Sequence, residues 1–309
     1  MKKIKVKVPG SIMLMGEHSV LFGEKALACA VDKYIHIELI PLESDEILID
    51  SALAQYKASL TDLQQEPKLS FVLAAVELLV KELPSGFSLK ISSEFSHTVG
   101  LGSSAAVTAG VVAALSAYAG GSTEKDELFD LALKVVHQVQ DGRGSGTDLV
   151  ASIYGSTVSY RVKPRKIKAL AGLPEISLYY AGYKTKTPDV LKIVEGFCAN
   201  NPDVYRDIYK LMGLVTDKAE QAVSTGDWGN LGNLMNNYQG LMDALGVSDK
   251  SISEIVYALR ESERIQGAKI SGSGLGDCVL ALGADPELSI SYEQIPVAVS
   301  EQGVTIEYH

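Results

Sequence analysis

A two-domain α+β fold is the class that the sequence predicts, and three observations support it. Strand and helix patterns occur in both halves of the chain, but they do not alternate as regular βαβ units. The chain has 309 residues, which is enough for about two domains of ordinary size. The basic, proline-containing stretch 161–174 is typical of a linker. We therefore expect a first domain at 1–165 and a second at 175–309.

The composition indicates a globular protein that does not bind nucleic acid. Hydrophobic residues make up 46% of the chain and charged residues 21%. The net charge of −10 argues against a nucleic-acid partner, because phosphate backbones require clustered lysine and arginine. The 3 widely spaced cysteines favour a reducing compartment over a disulfide framework or a zinc site. Neither a signal peptide nor a membrane span is predicted, so we expect a cytoplasmic protein with no membrane partner.

Hydrophobic periodicity predicts the elements of the first half. Ile4, Val6 and Val8 alternate with lysines, which predicts a strand with one solvent-exposed face. Further strands are predicted at 12–15, 34–40, 47–50, 87–92 and 156–161. Helices are predicted at 69–82, 103–119 and 123–137. Thr123 is the expected N-cap of the last of these helices.

Helical patterns dominate the second half of the chain. The stretch ISLYYAGYKT predicts a strand where this half begins, and VTIEY predicts another at its end. Helices are predicted at 189–199, 202–224, 228–245 and 251–263. After them, GAKISGSGLGDCVLALG predicts two strands joined by a glycine loop.

The stretch VGLGSSAAVTAG at 99–110 begins a helix with small residues only, which leaves space above the first turn. Ser103 or Ser104 is the predicted N-cap, and the first amides of such a helix have no partner within it. Gly100 and Gly102 allow a ligand close to the backbone, and the helix dipole adds about half a positive charge. A phosphate site with serine hydroxyls near Mg²⁺ fits this pattern. An ordinary tight turn with a serine cap is the alternative.

Three further segments place polar residues beside glycines. In PGSIMLMGEHSVLFG, Glu17 and His18 follow a strand, although a solvated pair in a hairpin is an alternative. In GRGSGTDLV, Asp148 precedes an apolar run, where it is either a helix cap or a general base for a substrate hydroxyl. In KISGSGLGDCVLAL, glycines between apolar strands indicate either a close ligand or a simple hairpin turn. The common P-loop and Rossmann motifs do not occur.

The order of these segments resembles the GHMP family of small-molecule kinases, whose three motifs follow each other in this order over nearly the whole chain. Three segments are similar to those of the mevalonate kinases in particular: GEHSVLFGEKALACAVD, GYKTKTPDVL and GNLMNNYQGLMDALGVS. The SGTD segment looks more like that of archaeal enzymes than that of animal ones. The resemblance implies a first domain like domain 2 of ribosomal protein S5 and a ferredoxin-like second domain, with ATP and substrate between them.

The resemblance also implies the reaction and the residues that serve it. The γ-phosphoryl group of ATP would pass to a primary hydroxyl, with mevalonate as the acceptor, Mg²⁺ as the metal and isoprenoid synthesis as the pathway. Asp148 would orient or deprotonate that hydroxyl. The residues implied to hold the triphosphate are Gly100, Leu101, Gly102, Ser103, Ser104 and Ala105, with Ser104 also on Mg²⁺. Those implied to face the substrate are Glu17, His18, Thr187, Gly272, Ser273 and Gly274.

Several positions depart from the family pattern. Ser11 stands where mevalonate kinases usually have a lysine that pairs with the catalytic aspartate. Either Arg143 or Lys184 supplies the missing cation, or the reaction is slower. His137 stands where the family often has a Mg²⁺-binding glutamate, although a histidine that only ends a helix is the alternative. The third motif, KISGSGLGDCVLAL, has other residues where the family usually shows glycines: Leu275 and Asp277.

Two other functions remain open from the sequence. One is a GHMP kinase with another acceptor, such as phosphomevalonate, a sugar or homoserine. The other is a ligand-sensing homologue that has lost turnover, which Ser11 and His137 favour and which the presence of Asp148 and the serine loop argues against. The sequence also leaves open whether the chain forms a homodimer.

Overall fold

Strands and helices are mixed along the whole chain in the structure, a computed structural model that describes residues 3–96 and 99–309. The strands in these ranges are β1 (Ile4–Met15), β2 (Lys25–Pro41), β3 (Glu46–Ser51), β4 (Gln55–Ser59), β5 (Phe87–Ser93), β6 (Thr157–Arg161), β7 (Lys166–Leu170), β8 (Ile176–Lys184), β9 (Gly267–Ser271), β10 (Gly276–Leu282), β11 (Glu293–Ile295) and β12 (Thr305–Tyr308). The helices are α1 (Ser70–Leu79), α2 (Ser103–Ala119), α3 (Lys125–Val139), α4 (Thr147–Tyr154), α5 (Thr187–Asn200), α6 (Pro202–Thr225), α7 (Trp228–Ala244) and α8 (Lys250–Arg260).

The strands of the described residues form two sheets, which confirms the predicted α+β class. In the first sheet the order is β12-β1-β2-β5-β3-β4, and β6 and β7 extend it from β2. The second sheet has the order β11-β8-β10-β9. The pairs are antiparallel apart from β3 and β5, which run parallel. Helices α2 and α4 lie on the first sheet, α1 and α3 pack against α2, and α7 and α8 pack against the second sheet.

The buried face of β1 changes halfway along the strand. The hydrophobic residues of 4–8 pack into the core beneath the helices of the first half, and their lysine neighbours are exposed, as the alternation predicts. Ile12 and Leu14 belong instead to a core shared with the second sheet. A shift in the pairing with β2 between Pro9 and Gly10 reverses which face is buried. The first sheet thereby serves both hydrophobic cores.

Helix α2 lies directly on the first sheet because its residues are small. A Cβ atom at Gly110 would come within 2.6 Å of Ile37 Cδ1 and 2.9 Å of Val8 Cγ2, so glycine is required for this close packing. Most of the helix is buried, and its N-terminus opens onto the cleft described below. Nowhere in the described residues is a helix both long and apolar enough to cross a membrane.

The end of the chain returns to the first sheet. Strand β12 pairs with β1, with Tyr308 opposite Ile4. The Val304 N–H donates to the Ile153 carbonyl at the end of α4. The division into domains 1–165 and 175–309 stays a prediction, and β12 attaches the last residues of the second part to the sheet of the first.

Several predicted elements differ from the structure. The expected linker at 161–174 contains β7, which forms a hairpin with β6, because KIKAL alternates well enough to add a strand at this edge. The strands predicted at 4–8 and 12–15 are one strand, since the irregularity in the pairing does not interrupt it. Glu124, not Thr123, is the N-cap of α3. Elements that the periodicity does not predict are β4, α4 and β11.

Candidate active site

A cleft of about 900 Å³ lies between the two sheets, and most of the predicted motifs meet there. The N-terminus of α2 and the first turn of α4 form one side of its floor, while the end of β8 and the β9–β10 loop approach from the second sheet. Residues 51–53 and 67–72 extend the wall beyond α2. Residues more than 150 positions apart in sequence therefore face one cavity.

The glycine–serine loop (residues 99–104) leaves the first turn of α2 uncapped. Gly102 is the N-cap, with φ of 63°, so neither serine takes the predicted N-cap position. No side chain of the described residues caps this turn, which leaves its amides directed at the cleft. The hydroxyls of Ser103 and Ser104 line the cleft beside them. This geometry suits an anion at the positive end of the helix dipole.

The six residues predicted to hold the triphosphate divide into two groups. Gly100, Gly102, Ser103 and Ser104 line the cleft. The side chains of the other two are buried in the cores: Leu101 and Ala105. The Leu101 carbonyl accepts the Ser11 N–H at 3.0 Å, which fixes the loop to β1.

Asp148 lies in the first turn of α4, with Gly146 as the N-cap, so the carboxylate does not cap the helix. The Ser11 hydroxyl donates to Asp148 Oδ1 at 2.9 Å. Burial raises the pKa of Asp148, and the negative charge of Asp277 acts in the same direction. The Ser11 hydrogen bond and the positive charge of Lys184 oppose this rise in pKa. Asp148 is thus a carboxylate of increased basicity on the floor of the cleft.

Of the two predicted cations, Lys184 reaches this site and Arg143 does not; Lys68 and Lys186 also line the cleft. Lys184 ends β8, lines the cleft, and its Nζ lies 2.8 Å from Asp277 Oδ2. The positive charge of Lys184 also lowers the pKa of Asp148. Arg143 is exposed and is absent from the described residues that line the cleft. Of the two candidates for the cation missing at Ser11, only Lys184 has the required position.

The third motif contributes part of its length to the cleft. Gly272 and Ser273 line it, whereas Gly274 packs against the Val247 carbonyl, 2.4 Å from where a Cβ would stand. The two non-glycine residues adopt the left-handed backbone that glycines favour, with φ of 54° and 68°: Leu275 and Asp277. The loop therefore keeps a glycine-type conformation at some cost in backbone strain.

Glu17 and His18 hold the first motif, PGSIMLMGEHSVLFG, against the third. Lys269, itself fully buried, donates to Glu17 Oε1 at 2.5 Å. Burial raises the pKa of Glu17 and lowers that of Lys269, and the attraction between the two opposes both changes. Burial also lowers the pKa of His18, and its Nε2 lies 2.9 Å from the Ser273 carbonyl. Because a carbonyl only accepts, a neutral His18 carries its proton on Nε2 here.

Neither Glu17 nor His18 lines the cleft among the residues described there, so direct contact with a substrate stays a prediction that this geometry does not favour. Thr187, the first residue of α5, does line the cleft together with Asp148.

Sequence reasoning missed Lys269. The available signal was a lysine within the otherwise apolar or small stretch GAKIS, whose five residues are all buried.

His137 acts as a structural residue near the end of α3. Its Nε2 lies 3.1 Å from the Gly144 carbonyl, so it holds the glycine-rich loop before Asp148. Gln140, one turn further, is the residue of this region that lines the cleft. The described residues contain no group of three or more His, Cys, Asp or Glu arranged to hold a metal ion. A structural histidine at a helix end, the alternative considered above, fits these contacts.

Comparison with known proteins identifies the family. The GHMP kinases N terminal domain matches residues 70–156, and the GHMP kinases C terminal domain matches 219–290. Mevalonate kinase of Pyrococcus abyssi is 31% identical over 98% of this chain and 98% of its own length.

Two solved structures show the same fold. The Lin0012 protein from Listeria innocua has a TM-score of 0.86 at 22% identity over 99% of each chain. L. major mevalonate kinase, in complex with R-mevalonate, has a TM-score of 0.75 at 23% identity over 97% of this chain and 96% of its own. These likenesses agree with the predicted fold. The two domain matches and the full-length relative establish that the chain belongs to the GHMP kinase family and groups there with the mevalonate kinases.

Proposed function

We propose that this protein is an ATP-dependent kinase that phosphorylates mevalonate to 5-phosphomevalonate. The observation that carries the proposal is the meeting of Asp148 with the uncapped N-terminus of α2 in one cleft. A carboxylate able to accept a proton thereby faces a site suited to phosphate groups. The full-length similarity to a mevalonate kinase supports mevalonate as the acceptor.

The reaction needs one proton acceptor and a means of balancing the charge of the phosphoryl group. The acceptor hydroxyl oxygen bonds to the γ-phosphorus, the bond from that phosphorus to the β–γ bridging oxygen breaks, and ADP leaves. Asp148 takes the hydroxyl proton, while the Ser11 hydroxyl holds its Oδ1 in place. The Lys184 ammonium balances developing negative charge from the opposite side of the cleft.

The residues of the cleft also fit Mg²⁺, which is commonly held by one or two carboxylates together with substrate phosphates. Ser103, Ser104, Asp148 and Asp277 all line the cavity with oxygen atoms. Asp277 Oδ1 is buried without a hydrogen-bond donor from the described residues. We propose that Ser104, with Asp148 nearby, would hold the ion. When bound, it would neutralise charge on the triphosphate.

The acceptor side is proposed to lie between α5 and the third motif. Thr187, Gly272 and Ser273 line this part of the cleft. Glu17 and His18 would then act indirectly, because His18 holds Ser273 and Glu17 is paired with Lys269 behind it. Gly274 contributes to the shape of the loop without facing the acceptor.

An acceptor panel tests the function. ADP formation is measured with mevalonate, phosphomevalonate, galactose and homoserine, and the product is identified by mass spectrometry. We expect turnover with mevalonate and a product that carries one added phosphoryl group. Asp148→Asn should lower kcat about 10³-fold because the proton acceptor is lost, while the nucleotide still binds at the N-terminus of α2.

The exposed Asp141, which does not line the cleft, provides the matched control as Asp141→Asn. Activity on a sugar without activity on mevalonate would replace the proposed acceptor. Binding of ATP and Mg²⁺ without phosphorylation of any acceptor would favour the sensing homologue instead.

A further inference from the structure

Asp277 occupies an unusual position for a carboxylate. Its backbone has φ of 68°, and the residue is only 7% exposed. The carboxylate lies against Gly100, where an added Cβ would stand 2.4 Å from Asp277 Oδ1. A side chain from the second sheet therefore packs directly on the glycine–serine loop that begins α2. Backbone strain and burial of a charge are both unfavourable, so a compensating role is expected.

The partner of this carboxylate is Lys184. Gly276 is paired with Lys184 across β10 and β8, so the next residue, Asp277, extends beside the lysine from the neighbouring strand. The Lys184 Nζ lies 2.8 Å from Asp277 Oδ2. The lysine side chain is 36% exposed, whereas that of Asp277 is 11% exposed. A buried, fixed carboxylate thus holds a flexible cation that would otherwise sample the solvent.

The ion pair acts on Asp148, which comes from the other side of the cleft. Lys184, Asp277 and Asp148 line the same cleft. The charge of Lys184 lowers the pKa of Asp148 and the charge of Asp277 raises it. The described contacts of Asp148 include a hydrogen bond from Ser11 but no salt bridge. Lys184 therefore provides a positive charge in the cleft, while Asp148 Oδ1 keeps its hydrogen bond from Ser11.

We propose that Asp277 is a positioning residue for phosphoryl transfer, anchoring the Lys184 ammonium above the glycine–serine loop and beside Asp148. This inference rests on the proposed kinase reaction. It explains how a chain with serine at position 11 places a cation in the site: the charge comes from the end of β8, and the third motif holds it. The contact with Lys184 favours this role over a metal-ligand role, because the lysine ammonium already neutralises the carboxylate.

A double-mutant cycle tests the inference. Lys184→Met removes the cation and Asp277→Gly removes its anchor. Glycine also adopts the left-handed backbone without strain, so we expect Asp277→Gly to melt no lower than wild type. Lys184→Met should lower kcat about 100-fold and Asp277→Gly about tenfold. The KM for mevalonate should change less than threefold in each. The double variant should be no slower than Lys184→Met, because Asp277 acts through the lysine.

Asp141→Gly is the matched control, since Asp141 also has a positive φ, of 52°, but is exposed and outside the residues lining the cleft. It should keep the wild-type kcat. Wild-type turnover of Asp277→Gly, or multiplied losses in the double variant, would overturn the proposal. So would a higher Mg²⁺ requirement for AMPPNP binding, measured by calorimetry, when Asp277→Gly is added to Lys184→Met, since that result identifies a metal ligand. Absence of mevalonate phosphorylation by the wild type refutes the proposed function separately.

Discussion

Ser11 shows how one residue can replace part of the role of another. Its hydroxyl donates to Asp148 at 2.9 Å and lowers the pKa of that carboxyl, but a serine adds no positive charge. The hydrogen bond orients the carboxylate, while Lys184 supplies the charge from another strand. The two tasks that the family's lysine would combine are thus divided between two residues. The sequence indicates the first of them directly and leaves the second as one of two candidates.

Removing the Ser11 hydroxyl should change the pH dependence of the reaction. Ser11→Ala eliminates a contact that lowers the pKa of Asp148, so this pKa rises further. Asp148 accepts a proton only when ionised, and the acidic limb of the kcat/KM profile should therefore move to higher pH. A hydrogen bond to a charged group predicts a move of about one pH unit.

Ser152 provides the control for this measurement. It is buried on the same helix, α4, and its hydroxyl has no hydrogen-bond partner among the described residues. Ser152→Ala should leave the profile in place. An acidic limb that stays unchanged in Ser11→Ala would mean that the hydrogen bond does not set the basicity of Asp148.

At the scale of elements, local sequence patterns predicted the position of α2 but not the way it begins. Serine is the usual N-cap, yet here Gly102 takes that position. A side chain at position 102 would collide with the Ser11 hydroxyl, so glycine is needed there. The same limit applies to β7, whose pairing with β6 decides that a basic stretch is a strand. It also applies to Glu17, whose partner Lys269 lies 252 residues away. Long-range contacts therefore decide the features that hydrophobic periodicity does not determine: the N-cap of α2, the strand β7 and the partner of Glu17.

The two ends of α2 allow a matched test of the phosphate site. Gly102 and Gly120 cap the helix with φ of 63° and 71°. A Cβ at Gly102 would stand 2.0 Å from Ser11 Oγ, whereas one at Gly120 meets nothing within 4 Å. Both alanine variants should lose about 1–2 kcal/mol of unfolding free energy from backbone strain.

Only Gly102→Ala should also weaken nucleotide binding, since the collision displaces the loop that begins α2. Thermal unfolding measures the first effect, and the KM for ATP together with calorimetry of AMPPNP binding measures the second. Equal nucleotide affinity in the two variants would show that the loop does not contact the triphosphate.

At the scale of the whole molecule, the two hydrophobic cores are joined through β1 and β2. Residues near the start of β1 pack beneath the helices of the first half, while Ile12 and Leu14 pack with the second sheet. Leu27 and Val31 of β2 join the same second core. The sequence predicted the fold class and the motifs that meet at the cleft. It did not show that β1 changes its buried face, because this depends on the irregular pairing after Pro9.

This shared core predicts the behaviour of a fragment containing the first predicted domain alone. A chain of residues 1–165 lacks the second sheet, so Ile12, Leu14 and Leu27 would expose the face that the second core covers in the full protein. It also lacks β12, so the side of β1 that does not pair with β2 becomes an open edge of the sheet. We expect the fragment to bind a hydrophobic dye, to aggregate and to show no cooperative unfolding, whereas the full chain unfolds in one transition in urea. A fragment that stays monomeric and unfolds cooperatively would instead support an independent domain at 1–165.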